Sequence, residues 1–380
     1  MTKYTTLEVP DGQPLAALRG FLRGLLEQKI VDALLVPQPV PPGDSLVQTL
    51  VRDAALLERA DPIYPLMPVQ SARLVSRVSA ANPGGKVGVV LKPCELRATV
   101  ELAKLKQVDM AHIVTISLDC LGTYEVTDFV ALARALGDVA APSVEALTKA
   151  KDGAVIPHDG YQFRPVCRIC EQPVPTNADI AIGLLGVDTG REILIESSKF
   201  QVPSFTLERA TWNVEHRTIS ARSTAINRLV AERTAARDAR FAELRAAVTD
   251  VPGLLAQFAT CLRCYNCMEA CPICYCKECI FKTATFDHTS ESYMRWAGRK
   301  GAVRMPTDTL LFHLTRLNHM VASCVGCGAC TNVCPSDIPV GEIFRTVGQK
   351  VQAMFDYVPG RSLDEPLPLA TFKENELLAL

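Results

Sequence analysis

The sequence predicts an α/β domain followed by an α+β, bacterial-ferredoxin-like domain with a helical insert, and three observations predict it. Two apolar runs rich in β-branched residues, VGVVL (87–91) and HIVTISL (112–118), each pass through a tight turn into a helical stretch, as the strand–turn–helix units of a parallel sheet do. The runs ADIAIGLLG and ILIES read as two further strands. In the last third, two cysteine motifs repeat one spacing and each is closed by a proline. The expected organisation is 1–245 for the α/β domain ending in a bridging helix, 246–350 for the cysteine-rich domain with an insert at 280–323, and 351–380 for an extended arm.

The elements follow in chain order. Residues 15–35 place apolar side chains at helical spacing after Pro10-Asp11-Gly12 and lead to a short buried strand; the proline-rich PQPVPPGD then stops any helix. DPIYPLMPV is a loop with three prolines. Lys92-Pro93-Cys94 turns the first β-branched strand into a helix from Glu95 to about Lys106, and Asp119-Cys120-Leu121-Gly122-Thr123 precedes a helix near 125–136. KAKDGAVIPHDG (149–160) has the Asp-Gly pairs of a small hairpin or insertion. The charged, Ala-rich stretch 221–246 suits a bridging helix. Inside the insert, TDTLLFHLTRLNHMV is an amphipathic helix with Leu310, His313, Leu314, Leu317, Met320 and Val321 on one side.

Composition narrows the chemistry. Of 380 residues, 48% are hydrophobic and 21% charged, and the formal net charge is −1; neither disorder nor a general polyanion-binding surface is implied, so no nucleic-acid partner is expected. No apolar run approaches the roughly 18 residues of a membrane span. The opening MTKYTTLEVPDGQPLAAL lacks the basic start and apolar core of a secretory signal, so a reduced, cytoplasmic setting is expected. The 15 cysteines are odd in number and seven fall between Cys261 and Cys279, too close together for independent disulfides; metal is the better reading.

Cys261, Cys264, Cys267 and Cys271 form C-x₂-C-x₂-C-x₃-C followed by Pro272, and Cys324, Cys327, Cys330 and Cys334 repeat it before Pro335. This is the bacterial two-cluster ferredoxin signature, in which the fourth cysteine of each motif ligates the other cluster. The expected sets are therefore Cys261, Cys264, Cys267 and Cys334 for one [4Fe-4S] cluster, and Cys324, Cys327, Cys330 and Cys271 for the second. Structural zinc is the alternative, but zinc needs neither crossed ligands nor trailing prolines. Cys274, Cys276 and Cys279 are extra: spare thiols, a fourth cluster, or replacements for an assigned ligand. His288, His313 and His319 in the insert read as packing or surface residues rather than ligands.

Cys94 and Cys120 end two strands, where α/β sheets collect ligands, and Cys167 and Cys170 form a CxxC near them. On spacing alone, a third cubane and buried core thiols stand nearly level.

KPCELRATVELAKLKQVD (92–109), ISLDCLGTYE and CRIC followed by ADIAIGLLG resemble the coenzyme F420 hydrogenase/dehydrogenase beta-subunit family. The resemblance implies an α/β domain holding FAD beside one [4Fe-4S] cluster on Cys94, Cys120, Cys167 and Cys170, joined by a ferredoxin-like module to redox partner subunits of a hetero-oligomeric complex. The ferredoxin module of the family as usually met precedes the flavin domain, whereas here it follows, and Glu171-Gln172-Pro173 stands where the family has a short Asp-Phe segment. No GxGxxG opens a helix after a strand, so a Rossmann site is not supported. With FAD implied, Lys92, Arg97, Gly122 and Thr123 at the strand ends are the candidate flavin contacts, with Lys199 a weaker one. The expected function is a flavin and iron-sulfur oxidoreductase subunit exchanging electrons between F420 or NAD(P)H and a formate dehydrogenase, hydrogenase or heterodisulfide-reductase-like module, through FAD and three [4Fe-4S] clusters. The alternatives are a pure electron relay without soluble substrate and a structural zinc protein.

Overall fold

The computed structural model describes residues 3–81, 84–197, 216–301 and 308–368. The Lys199 candidate and residues 369–380 of the expected arm lie outside them. The chain divides into two units, Met1–Arg237 with Gly360–Glu365, and Asp238–Pro359 with Pro366–Leu380.

The first unit is built on a seven-stranded sheet of β1 (Lys3–Glu8), β2 (Ala33–Pro39), β3 (Leu46–Val51), β4 (Val87–Leu91), β5 (Ile113–Leu118), β6 (Ile180–Gly183) and β7 (Glu192–Ser197), in the order β1-β7-β6-β5-β4-β2-β3. The middle pairs β2·β4, β4·β5 and β5·β6 are parallel; β3, β7 and β1 add antiparallel edges. Every residue of β4 and β5 is buried, as expected of parallel strands covered on both faces. Pro37 and Pro39 stay in β2 because its pairing with β4 stops at Leu35; beyond that only β3 is bonded, and proline is tolerated where one ladder ends.

The helices of this unit are α1 (Pro14–Glu27), α2 (Ala72–Ala80), α3 (Pro93–Lys104), α4 (Val126–Leu136), α5 (Ala141–Ala150) and α6 (Pro165–Arg168). α1 buries Leu15, Leu18, Phe21, Leu22 and Leu25 in one core with Leu34, Val36, Ile116 and Ile182 of the sheet. Residues 149–160 form no hairpin: α5 runs to Ala150, started by Pro142, and a turn follows it. Proline in a first helical turn gives up no needed hydrogen bond. Gly360 closes the unit, donating its N–H to the Glu101 carboxylate at 2.8 Å. A Cβ there would lie 2.4 Å from the Arg97 Cα, so only glycine fits.

α7 (His216–Ala247) is longer than the expected 221–246 stretch, and the division between the units falls within it. The second unit continues with α8 (Val251–Gln257), α9 (Asn266–Ala270), α10 (Ser290–Lys300), α11 (Thr309–Met320), α12 (Ala329–Asn332) and α13 (Val340–Met354). Among its described residues there is no β-strand, unlike the α+β expectation, because the chain flanking the cysteine loops is helical in α8 and α13. The face that α11 buries also differs from the expected one. Thr309, Phe312, His313, Arg316 and Met320 are buried, whereas Leu314 is 42% exposed. A guanidinium has displaced leucines from the core side, and its partners are sulfur.

Candidate iron-sulfur centres

In the first unit, Lys92 and Cys94 lie at the end of β4, and Asp119 and Cys120 at the end of the neighbouring β5. Asp119 fixes that end: its carboxylate accepts from the Leu184 and Leu185 N–H groups at 2.8 and 2.9 Å and pairs with Arg222. Cys167 is held on α6, its N–H bonded to the Arg164 carbonyl at 2.9 Å, while the Arg164 N–H bonds to the Thr123 carbonyl at 2.9 Å. The Thr123 hydroxyl is 3.0 Å from the Cys167 sulfur, and an Arg164 Nη2 lies 3.7 Å from it.

Electrostatics tie the four cysteines together. Burial pushes Cys120 up to about 11, with Cys167 and Cys170 adding to the rise and Lys92 opposing it. Lys92 is pulled down to about 8 by burial, against Glu95, Cys120 and Cys94. Burial also acts to raise Cys167, yet Arg164, the Thr123 hydroxyl and Arg233 outweigh it and leave the thiol below its ordinary value. The Lys92 Nζ is buried with no hydrogen-bond partner among the described residues, and lies 2.7 Å from the centroid of the Tyr64 ring. Four thiols with an unpaired ammonium and guanidinium groups beside them suit an anionic metal–sulfur group.

The flavin candidates are placed less favourably. Gly122 has φ +93° and a Cβ there would fall 2.6 Å from the Phe163 ring; Thr123 is turned to Cys167; Arg97 is buried on α3 under Gly360. Lys92 does carry an unpartnered ammonium, but the thiols Cys120 and Cys94 are among the charges that act on it. Lys92 and Thr123 thus face the thiol set, and Gly122 and Arg97 lie packed at the strand ends beside it.

In the second unit the two cysteine motifs fold alike. Met268 N bonds to the Tyr265 carbonyl at 2.8 Å and Thr331 N to the Gly328 carbonyl at 3.0 Å; Cys274 N reaches the Cys271 carbonyl and Asp337 N the Cys334 carbonyl, both at 3.2 Å. The thiols then sort across the motifs. Cys267 is pushed up to about 11 by burial, against Arg316, with Cys261, Cys264 and Cys334 adding to the rise. Cys330 is raised by burial, then by Cys271, Cys327 and Cys324. Cys334 of the second motif thus acts on Cys261 and Cys267 of the first, and Cys271 of the first acts on Cys330 of the second. Cys274 is pushed up to about 12 by burial, with Cys271, Cys276 and Cys279 adding to it, and the Cys279 sulfur contacts Met268 Sδ at 3.7 Å. Cys276 is exposed. Among the described residues, no three His, Cys, Asp or Glu side chains converge to hold a single metal ion.

Three side chains of α11 touch the first motif: His313 Nε2 is 3.3 Å from the Cys261 sulfur, Arg316 Nη1 donates to the Cys267 sulfur at 3.0 Å, and Met320 Sδ is 3.5 Å from the Cys271 sulfur. Sequence reading treated His313 as packing and overlooked Arg316. The i, i+3, i+7 spacing of a histidine, an arginine and a methionine between two cysteine motifs was the available signal. His288, by contrast, lies edge-on to Tyr293 and Trp296.

Comparison with known proteins finds a family match in each of two stretches. Residues 84–201 match the family described as the C terminus of the coenzyme F420 hydrogenase/dehydrogenase beta subunit, and residues 257–338 match the 4Fe-4S dicluster domain. The chain is 25% identical to the F420-dependent formate dehydrogenase subunit beta of Methanocaldococcus jannaschii, over 96% of this chain and 98% of that one. It is 28% identical to F420-dependent formate dehydrogenase 1 subunit beta of Methanococcus maripaludis, over 94% and 93%. Both alignments run nearly end to end, so these relatives share the order of the two stretches, and the C-terminal place of the cysteine motifs is no departure from them. A solved structure of the F420-reducing [NiFe] hydrogenase complex from Methanosarcina barkeri overlaps 63% of this chain and 92% of that chain at 12% identity, with a TM-score of 0.42. Residues 84–201 thus match the coenzyme F420 hydrogenase/dehydrogenase beta-subunit family and residues 257–338 the 4Fe-4S dicluster domain, and nearly the whole chain is similar to F420-dependent formate dehydrogenase beta subunits.

Proposed function

We propose that this chain is the electron-transfer subunit of an F420-linked oxidoreductase complex in the cytoplasm. It exchanges electrons between F420, with NAD(P)H as the rival carrier, and a partner formate dehydrogenase, hydrogenase or heterodisulfide-reductase-like module. The observation that supports this reading is the electrostatic coupling among the buried thiols, which favours three sets. One is Cys94, Cys120, Cys167 and Cys170; the others are Cys261, Cys264 and Cys267 with Cys334, and Cys324, Cys327 and Cys330 with Cys271. FAD bound near the strand ends would supply exchange between a hydride and single electrons, and clusters held by these thiols would pass such electrons one at a time. FAD enters through the family likeness alone.

The protein's own work is placement and charge. Asp119, anchored to Leu184, Leu185 and Arg222, holds the Cys120 turn. Lys92 and Arg164 set positive charge beside the first thiol set. Gly341 lets α13 approach the second loop, since a Cβ there would lie 2.9 Å from the Thr331 hydroxyl and 3.5 Å from the Cys330 sulfur. No helix among the described residues is long and apolar enough to cross a membrane.

Anaerobic purification with iron, acid-labile sulfide, zinc and flavin counted per chain is the test. About 12 iron and 12 sulfide with one FAD, and clusters that reduce on addition of reduced F420 but not NAD(P)H, are expected. A colourless, zinc-rich preparation would sink the reading. About 8 iron without flavin would reduce the chain to a relay.

A further inference from the structure

Arg316 is 3% exposed. Its Nη1 donates to the Cys267 sulfur and its Nη2 to the Cys267 carbonyl, both at 3.0 Å. The guanidinium carbon lies 5.4 Å from the Phe312 ring centroid and 5.1 Å from that of Phe344. Burial acts to lower its pKa, yet Cys267, Cys271, Cys330 and Cys274 together raise it. The charges that raise it are therefore thiols: Cys267 from one proposed ferredoxin-type set, Cys271 and Cys330 from the other, and the extra Cys274.

A buried cation without a carboxylate partner costs several kcal/mol in an apolar site unless another anion stabilises it. A cubane on four thiolates is that anion, and reduction adds one further negative charge to it. An N–H donor and a fixed positive charge beside a ligand sulfur stabilise the reduced form, which raises the potential. Burial between two aromatic rings keeps water from screening the charge.

We infer that Arg316, supplied by the insert helix α11, is a positioning residue that raises the potential of the cubane on Cys261, Cys264, Cys267 and Cys334, and to a lesser extent that of its neighbour. The insert is then part of the electron path's electrostatics rather than a spacer between motif halves. This inference rests on the proposed cluster assignment.

The test uses the full chain with its clusters, comparing Arg316→Met, which keeps bulk without charge, and Arg316→Lys, which keeps charge without the planar fork. The readouts are iron and sulfide per chain and an EPR-monitored redox titration. In Arg316→Met the first-motif cluster should titrate at least tenfold harder to reduce at a given potential, equivalent to about 59 mV for a one-electron couple, while Arg316→Lys stays within a few-fold of the parent. Parental potentials in Arg316→Met, or an equal shift in both variants, would overturn the inference. So would loss of first-motif iron from Arg316→Met, which would make the residue a support for cluster assembly. A parent protein lacking the iron of two cubanes on the second unit fails the underlying assignment instead, and is recognised before either variant is titrated.

Discussion

Arg263 and Gly326 hold the same place in the two cysteine loops, and both have left-handed backbone, with φ of 56° and 72°. Tyr265 and Gly328 form a second such pair, at 64° and 72°. The loop needs that conformation to curl its thiols inward. The second motif meets the need with glycine, the first with side chains that must be held there.

Arg263 is held by a buried ion pair with Asp308 and a bond to the Phe286 carbonyl. Arg263→Ala should cost about 3 kcal/mol by leaving Asp308 buried and uncompensated. The double variant Arg263→Gly with Asp308→Asn removes the charge and relieves about 1 kcal/mol of left-handed strain, so it should melt between the single variant and the parent. Anaerobic melting followed by cluster absorbance and far-UV circular dichroism gives the order. A single variant that melts with the parent would show that the pair holds nothing.

Gly122→Ala is expected to empty one centre selectively. With φ at +93° and Phe163 ring atoms 2.6–2.7 Å from any Cβ, the substitution must displace the ring next to Arg164 and the Cys167 helix. Iron should fall by about four per chain while the EPR signals of the ferredoxin-type pair persist. Full iron content in this variant would contradict the placement of a cluster at Cys120 and Cys167.

Asp61 supplies a pH signature. It accepts from the Ser143 hydroxyl at 2.6 Å and the Ile63 and Tyr64 N–H groups at 3.0 Å. Burial nevertheless raises its carboxyl above the usual range, against those bonds and Arg19. The folded chain then binds this proton more tightly than the unfolded one. Its stabilising share is complete below the unfolded carboxylate range and is lost as pH climbs through the raised folded value. Asp61→Asn, neutral throughout, should gain on the parent in denaturant midpoint as pH rises from about 4, the unfolded carboxylate value, through the raised folded one; a constant difference would show that Asp61 titrates normally.

Cys276 is exposed and is not among the charged neighbours of Cys267 or Cys330. Cys276→Ser should keep the parental iron content, whereas Cys334→Ser should disturb the cluster of the first motif rather than that of its own. A loss of about four iron on Cys276→Ser would make it a cluster ligand, of a fourth cluster if the parent holds about 16 iron and in place of an assigned cysteine if it holds about 12.

How far these features could be read in advance depends on how local their signal is. VGVVL and HIVTISL announced β4 and β5 because a strand buried on both faces must be apolar throughout. The crossed cysteine sets were legible because cubane ligation fixes the spacing. Strands β1 and β3 were missed, since KYTTLE and LVQTLV mix polar and apolar residues and become strands only by pairing at a sheet edge. The α11 face was misjudged because periodicity ranks leucine above arginine as a core residue, and the Cys267 sulfur that the buried Arg316 donates to lies 49 residues away in sequence.

Gly360 and its bond to Glu101 bear on how the polypeptide is made. Residues 360–365 complete the first unit, yet every one of the 15 cysteines precedes them in the chain. During synthesis the ribosome therefore delivers all the thiols before the α/β unit receives its final segment. A chain truncated before residue 360 would keep every sulfur ligand while leaving the backbone around Arg97 uncovered.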